Sequence, residues 1–381
     1  MRVHETSAAR SLLPALRARA RVLLVRLDNI GDVILLGPAV AAIREALPEA
    51  QLTLLASPAG AQGAALLPEI DEVIEHRASW QQLVPGTVAP EADRALIERL
   101  REERYDAAII FTSFSQTSVA PAVACYLADI PVRAAYAPDA FAGEVISHPV
   151  PSEGVPAHQA ERNLHLVRAL GFEGGDGRPR IVVPPEASER ASRLLAAAGI
   201  EDGAPFVVLV PGASAPARRY ARERFAQVAR DTVARGLPVV VLGGPHEEAL
   251  GGELEAEAGA FGVVSVAGRT SVPLMAAVIA RAALVIANNS LALHVADALG
   301  VPVVSTYAGT DPWSYWEPRA TPHQLLTKAV ECSPCFGIEC DRGHGCMDIE
   351  PHEVLVAAEA LLAPVGALLT AQADGVGRNS R

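Results

Sequence analysis

The stretch ALVIANNSLALHVADALGVPVVSTYAGTDP, residues 283–312, decides the fold. Its run Leu284–Ala287 is continuously apolar rather than alternating, as in a strand covered on both faces. Leu291–Leu299 then carries apolar residues at helical spacing, and Val303–Thr306 is a second buried strand. Strand, helix and parallel strand in this order form a βαβ unit. Working outward, the same alternation recurs along the chain. Strands are predicted at Arg21–Leu27, Gln51–Leu55, Ala107–Phe111, Val132–Ala135, Phe206–Val210, Val239–Leu242 and Val263–Val266, with helices such as Pro38–Leu47 and Glu223–Arg235 between them. Repeated units of this kind predict an α/β protein with doubly wound parallel sheets.

A chain of 381 residues exceeds one ordinary core, and a Gly-, Pro- and charge-rich stretch at Glu173–Arg190 divides the units into two groups. We expect a domain over residues 1–180, a second over 181–371, and an unstructured tail over 372–381. Two Rossmann-like domains facing each other would leave a cleft at the carboxyl ends of their strands, where ligands bind.

Composition narrows the function. Half the residues are apolar and 20% are charged, the balance of a packed globular protein. The net charge of −12 argues against nucleic-acid binding, which needs clustered cations. Lys328 is the single lysine, so a Walker-type phosphate loop is excluded and arginine carries the cationic work. No apolar run is long enough to span a bilayer, and the N-terminus lacks the order of a signal peptide, so a cytoplasmic location is expected. The first 21 residues hold five arginines and several leucines. They read either as a surface helix over the first strand or as a peripheral contact with the inner face of the membrane.

Three stretches carry chemistry. In RVLLVRLDNIGDVILLGPAV a buried strand ends at Leu27, the chain turns through Asp28–Asp32, and a helix starts near Pro38. Gly31 allows close approach of a ligand, and Asp32, on a short loop, is placed to take a proton from a hydroxyl. The competing reading has Asp28 and Asp32 bonding nearby backbone N–H groups. In VVLVPGASAPARRYARERF a strand delivers Gly212 and Ser214 into a loop followed by Arg218 and Arg219. Amides, hydroxyl and guanidinium suit a phosphate, and the cation would stabilise a departing diphosphate; the alternative is a surface arginine pair. In residues 283–312, Asn288, Asn289 and Ser290 open a helix, where amides favour anions. His294 lies one turn further on, either touching a phosphate or satisfied structurally. Thr310 turns toward the same side of the sheet. Glu247, ending the strand segment GGPHE, suits ribose hydroxyls or simply starts a helix. No G-x-G-x-x-G follows the first strand and no G-x-S-x-G occurs, which disfavours a dinucleotide oxidoreductase and an α/β-hydrolase.

Cys332, Cys335, Cys340 and Cys346 cluster in ECSPCFGIECDRGHGC, with His344 between the last two. The first pair resembles half a zinc site, but the other spacings do not. A reduced loop ranks above a structural metal, and a redox disulfide ranks below both. Cys125, in an apolar stretch, reads as core.

Together RLDNIGDVILLGPAV, PGASAPARRYARERF, VVVLGGPHEEA and NNSLALHVADALGVPVVSTYAGTDP, in that order, resemble glycosyltransferase family 9, the ADP-heptose:lipopolysaccharide heptosyltransferases and their relatives. The likeness runs from about Arg21 to Val356, and the cysteine segment shares it. It implies a GT-B fold and an inverting, metal-independent transfer needing no cofactor. An ADP-sugar donor would be held mainly by the C-terminal domain, and a hydroxyl of a saccharide or glycolipid would be the acceptor. By position, Asp32 matches the catalytic base, and Arg218 a cationic residue on the donor phosphates, commonly lysine. Ser214 matches a phosphate-binding hydroxyl and Glu247 lies near a ribose contact. Asn289, Ser290 and His294 match the loop on the sugar and diphosphate. Asn289-Ser290-Leu291 stands where the family commonly reads Asp-Ser/Thr-Gly, which removes a carboxylate from the sugar site. Heptose is the donor sugar the resemblance implies, and this departure leaves room for another. Two other readings stay open: a sugar-nucleotide epimerase or hydrolase of the same fold, which needs no acceptor, and a non-catalytic sugar-nucleotide-binding protein.

Overall fold

The computed structural model describes residues 11–82, 86–114, 116–137 and 143–376. The chain divides into two compact units, Met1–Val182 and Val183–Arg381.

The first unit holds β1 (Arg21–Arg26), β2 (Gln51–Ala56), β3 (Glu72–Glu75), β4 (Ala107–Ile110), β5 (Val132–Ala137) and β6 (His148–Pro151) in one parallel sheet, ordered β3-β2-β1-β4-β5-β6. Alternate residues of β1 enter two different cores: Val22 and Leu24 one, Leu23 and Val25 the other. A strand covered on both faces needs apolar side chains at every position, hence the unbroken run. Ahead of β1, Leu12 is fully buried and its N–H bonds Leu170 O, while Leu13–Ala15 form one 3-10 turn. Residues 1–10, on which the expected N-terminal surface helix partly falls, lie outside the described residues.

The second unit repeats the plan with β7 (Val207–Val210), β8 (Val239–Val241), β9 (Val263–Ser265), β10 (Leu284–Asn288), β11 (Val303–Thr306) and β12 (His323–Leu326), ordered β12-β11-β10-β7-β8-β9. Each sheet has the Rossmann strand order, so each has a point where successive connections leave in opposite directions, between β1 and β4 and between β7 and β10. Loops that follow these strands open a crevice suited to a ligand.

All nine expected strands form, with ends shifted by at most two residues. Three more were not expected: β3, β6 and β12, each at a sheet edge. The N–H groups of Arg319, Ala320 and Thr321 donate to Asp297, which fixes the approach to β12; burial pushes that carboxyl up against these bonds. The final helix runs through Val376, into the stretch from Gln372 for which no structure was expected; residues 377–381 lie outside the described residues. Among the described residues, no helix is long and apolar enough to cross a membrane.

Candidate active site

In the first unit, the decisive side chain is Arg26, the last residue of β1. It is fully buried among apolar strands, where an unpaired guanidinium would be very costly. Its Nε faces Asp28 Oδ2 at 2.8 Å, and its Nη2 donates to Asp32 Oδ1 at 2.7 Å and to Ser113 Oγ at 2.8 Å. Asp28 also accepts from the side-chain amides of Gln81 and Gln116. Burial pushes the Asp28 carboxyl up, opposed by Arg26 and these amides. The group sits where β1 and β4 part.

Asp32 is not on a loop, as expected from the sequence, but in the first turn of the helix Ile30–Ile34. Asn29 and Asp32 form a capping box, in which Asp32 Oδ2 accepts from Asn29 N–H at 3.2 Å. Backbone bonding by Asp32, the competing expectation, therefore does occur, but its other oxygen faces Arg26. The carboxylate is 13% exposed, so it is held by fixed partners and still open to solvent. Nearby, the guanidinium of Arg162 stacks on the rings of Phe114 and Tyr136, 4.8 and 4.5 Å from their centroids. Burial, and to a lesser degree Arg26, depress its proton affinity.

In the second unit, the loops after β7, β8, β10 and β11 are tied together by side chains. Asn288, fully buried at the end of β10, donates to Pro211 O at 2.7 Å and accepts from Tyr220 N and Thr306 Oγ1, both at 3.0 Å. All of its polar capacity is spent inside the protein, so it braces the loops. Asn289 accepts from Ala308 N at 3.3 Å. Ser290 starts the helix Leu291–Leu299 without its hydroxyl capping that helix, and Leu291 occupies the first turn. His294, on the same helix, is buried with its ring 6.1 Å from that of Trp316.

Glu247 folds back over the strand ends. It accepts from Gly244 N at 2.6 Å, and its carboxylate presses on Gly212, where a Cβ would overlap it. Ser214 is exposed on the same loop as Gly212. Arg219 is exposed, with its Nε donating to Ala213 O at 3.0 Å. Arg218 donates through Nε to Thr310 Oγ1 at 3.2 Å and through Nη2 to Asp311 Oδ2 at 2.5 Å, and Thr310 bonds the same oxygen at 2.8 Å. One edge of the guanidinium is thus fixed by the loop after β11. Among the described residues, no bond from Nη1 is found.

Arg26, Ser113, Gln116 and Asp311 were not assigned roles from the sequence. Arg26 had a signal, a charged residue at the end of a strand otherwise apolar on both faces; the others had none. Cys125 is buried as expected, and burial pushes its thiol up to about 12. All four cysteines of the 332–346 segment are free thiols. Among the described residues, no three or more His, Cys, Asp or Glu side chains are grouped to hold a metal ion.

Loops at the switch point of a Rossmann sheet, with amides, a hydroxyl and a half-fixed arginine, match a nucleotide diphosphate. Residues 93–345 match the family model for glycosyltransferase family 9 (heptosyltransferase). The chain belongs to this family. It is a glycosyltransferase of the heptosyltransferase type. Lipopolysaccharide heptosyltransferase 3 of Escherichia coli is 27% identical over 298 residues, covering 74% of this chain and 84% of the relative. The glycosyltransferase family 9 structure from Veillonella parvula superposes with a TM-score of 0.75 at 21% identity, covering 94% of this chain and 100% of that one. The E. coli heptosyltransferase WaaC, solved with ADP-2-deoxy-2-fluoro heptose, superposes with a TM-score of 0.61 at 21% identity, covering 80% of this chain and 92% of that one. The GT-B architecture expected from the sequence is therefore present.

Two substitutions test this geometry. Arg26→Met strands two carboxylates and should cost about 3–5 kcal/mol at neutral pH. Without the Arg26 charge Asp28 binds a proton more readily, so the deficit should shrink as pH falls and grow as pH rises, read from urea unfolding at several pH values. A deficit independent of pH would contradict the pairing. Gly212→Ala should push Glu247 aside, cost about 1–3 kcal/mol by overpacking, and weaken ADP binding with an unchanged circular dichroism spectrum. Normal ADP affinity would count against that loop.

Proposed function

We propose that the protein moves a sugar, heptose, from an ADP-sugar to a hydroxyl of a saccharide or glycolipid acceptor, with inversion and without a metal cofactor. The observation that carries this reading is Asp32: a carboxylate oriented by Arg26 and the helix cap, yet open to solvent. Asp32 accepts the proton of the acceptor hydroxyl, and the oxygen lone pair attacks the anomeric carbon. The bond from that carbon to the diphosphate breaks, and its electron pair leaves with the diphosphate. A single displacement inverts the configuration.

Arg218 supplies the cation that meets the growing negative charge, with Ser214 and the amides at the start of the helix Leu291–Leu299 as further donors. Thr310 holds Arg218 in place. Gly212 and Glu247 form the ribose side, and Arg219 adds positive charge at the loop's outer edge. Asn289 and His294 line the sugar side, while Asn288 keeps the loops together. The WaaC structure named above, with its ADP-linked fluoro-heptose, supports the donor class. The lipopolysaccharide heptosyltransferase relatives support a saccharide or glycolipid acceptor; its meeting the enzyme at the cytoplasmic face of the inner membrane is part of the proposal.

Asp32→Asn keeps the shape and removes the base, so turnover should fall about 10²–10⁴-fold. ADP-sugar binding, measured by calorimetry, should persist. Arg218→Ala should lower kcat/KM for the donor about 10²–10³-fold. Wild-type turnover in Asp32→Asn would remove Asp32 from the mechanism, and conversion of donor with no acceptor present would favour an epimerase or hydrolase instead.

A further inference from the structure

The cysteine-rich segment has no part in the mechanism above, yet it touches the two loops that hold Arg218. His344 Nε2 bonds Ala217 O at 2.7 Å, immediately before Arg218. Ala217 N–H donates to Ile338 O at 2.9 Å, so this residue is gripped from both sides by one segment. On the other loop, Cys335 N–H donates to Gly309 O at 3.0 Å, and Phe336 N–H donates to Thr310 O at 2.8 Å. Gly309 is pressed so closely that a Cβ there would come within 2.7 Å of Ser333 Oγ. The four cysteines, with Ala217, Gly309 and Thr310, line one cavity of about 70 Å³.

His344 itself has a φ of 58°, in the left-handed region that a residue with a side chain seldom adopts. Such a conformation persists where the surroundings enforce it, and here it delivers the imidazole to Ala217.

We propose that the segment Cys332–Cys346 is a clamp that positions the diphosphate-binding loops, with His344 as a positioning residue for Arg218. This rests on Arg218 contacting the donor's diphosphate. A guanidinium misplaced by a fraction of an ångström loses its aligned bonds to phosphate oxygens, so the clamp acts on nucleotide affinity without touching the nucleotide. The exposed thiols of Cys335 and Cys340 then report on it: a nucleotide that tightens the loops should shield them.

The test uses the full chain and ADP as the probe. His344→Leu should weaken ADP binding by about tenfold in calorimetry, the scale of a lost positioning bond, with the thermal midpoint close to wild type. His344→Gln, which retains an N–H donor of similar reach at the same backbone angle, should restore most of the affinity. Wild-type ADP affinity in His344→Leu would overturn the clamp. Arg218→Ala separates the two ideas: weakened ADP binding there beside normal binding in His344→Leu defeats the clamp alone. Normal binding in Arg218→Ala defeats the diphosphate role on which the clamp rests. In parallel, alkylation of Cys335 and Cys340 in the wild-type protein by N-ethylmaleimide, followed by mass spectrometry, should slow when ADP is added. An unchanged rate contradicts the coupling and does not depend on any variant folding.

Discussion

A parallel sheet brings the carboxyl ends of its strands to one edge, and the polar groups released there must be satisfied without water wherever they are buried. In this protein the requirement is met at each switch point by one buried polar side chain. Arg26 gathers two aspartates and a serine at the edge of the first sheet. Asn288 ties both ends of the connection after β7, at Pro211 and Tyr220, to the last residue of β11, Thr306, at the edge of the second. Both residues are fully buried. The reactive groups inherit their geometry from these anchors. Asp32 is oriented because Arg26 must be paired, and the loop bearing Gly212 is placed because Asn288 must be satisfied.

In the proposed reaction this arrangement separates binding from proton transfer along the chain. The first unit offers an acid held between a cation and a helix cap. The second offers amides, hydroxyls and a half-fixed guanidinium, suited to a diphosphate. Asn289-Ser290-Leu291 stands where the family resemblance led us to expect Asp-Ser/Thr-Gly. Asn289 accepts there from the backbone N–H of Ala308.

How much of this was legible in the sequence depended on distance along the chain. Interior strands such as Val207–Val210 and Val303–Thr306 are buried at every position and announce themselves as apolar runs. The edge strands Glu72–Glu75, His148–Pro151 and His323–Leu326 are short, hold at most one buried residue each and include polar residues, so they carry no such run. Asp32, Gly212, Arg218 and Glu247 were visible because each sits just past a strand, but their partners were not. Arg26 meets Ser113 across 87 positions, Arg218 meets Asp311 across 93, and His344 meets Ala217 across 127. Local pattern holds no trace of such pairs. The turn containing Asp32 was read as a loop because its five-residue helix is too short for apolar periodicity to reveal.

The central claim is that the loops after β7, β10 and β11 receive the nucleotide diphosphate. Amide hydrogen exchange with and without ADP tests it most directly. Slower exchange confined mainly to residues 212–219, 289–292 and 308–311 is the result expected. Slower exchange around residues 28–32 with none in those three loops would place the nucleotide elsewhere and contradict the account.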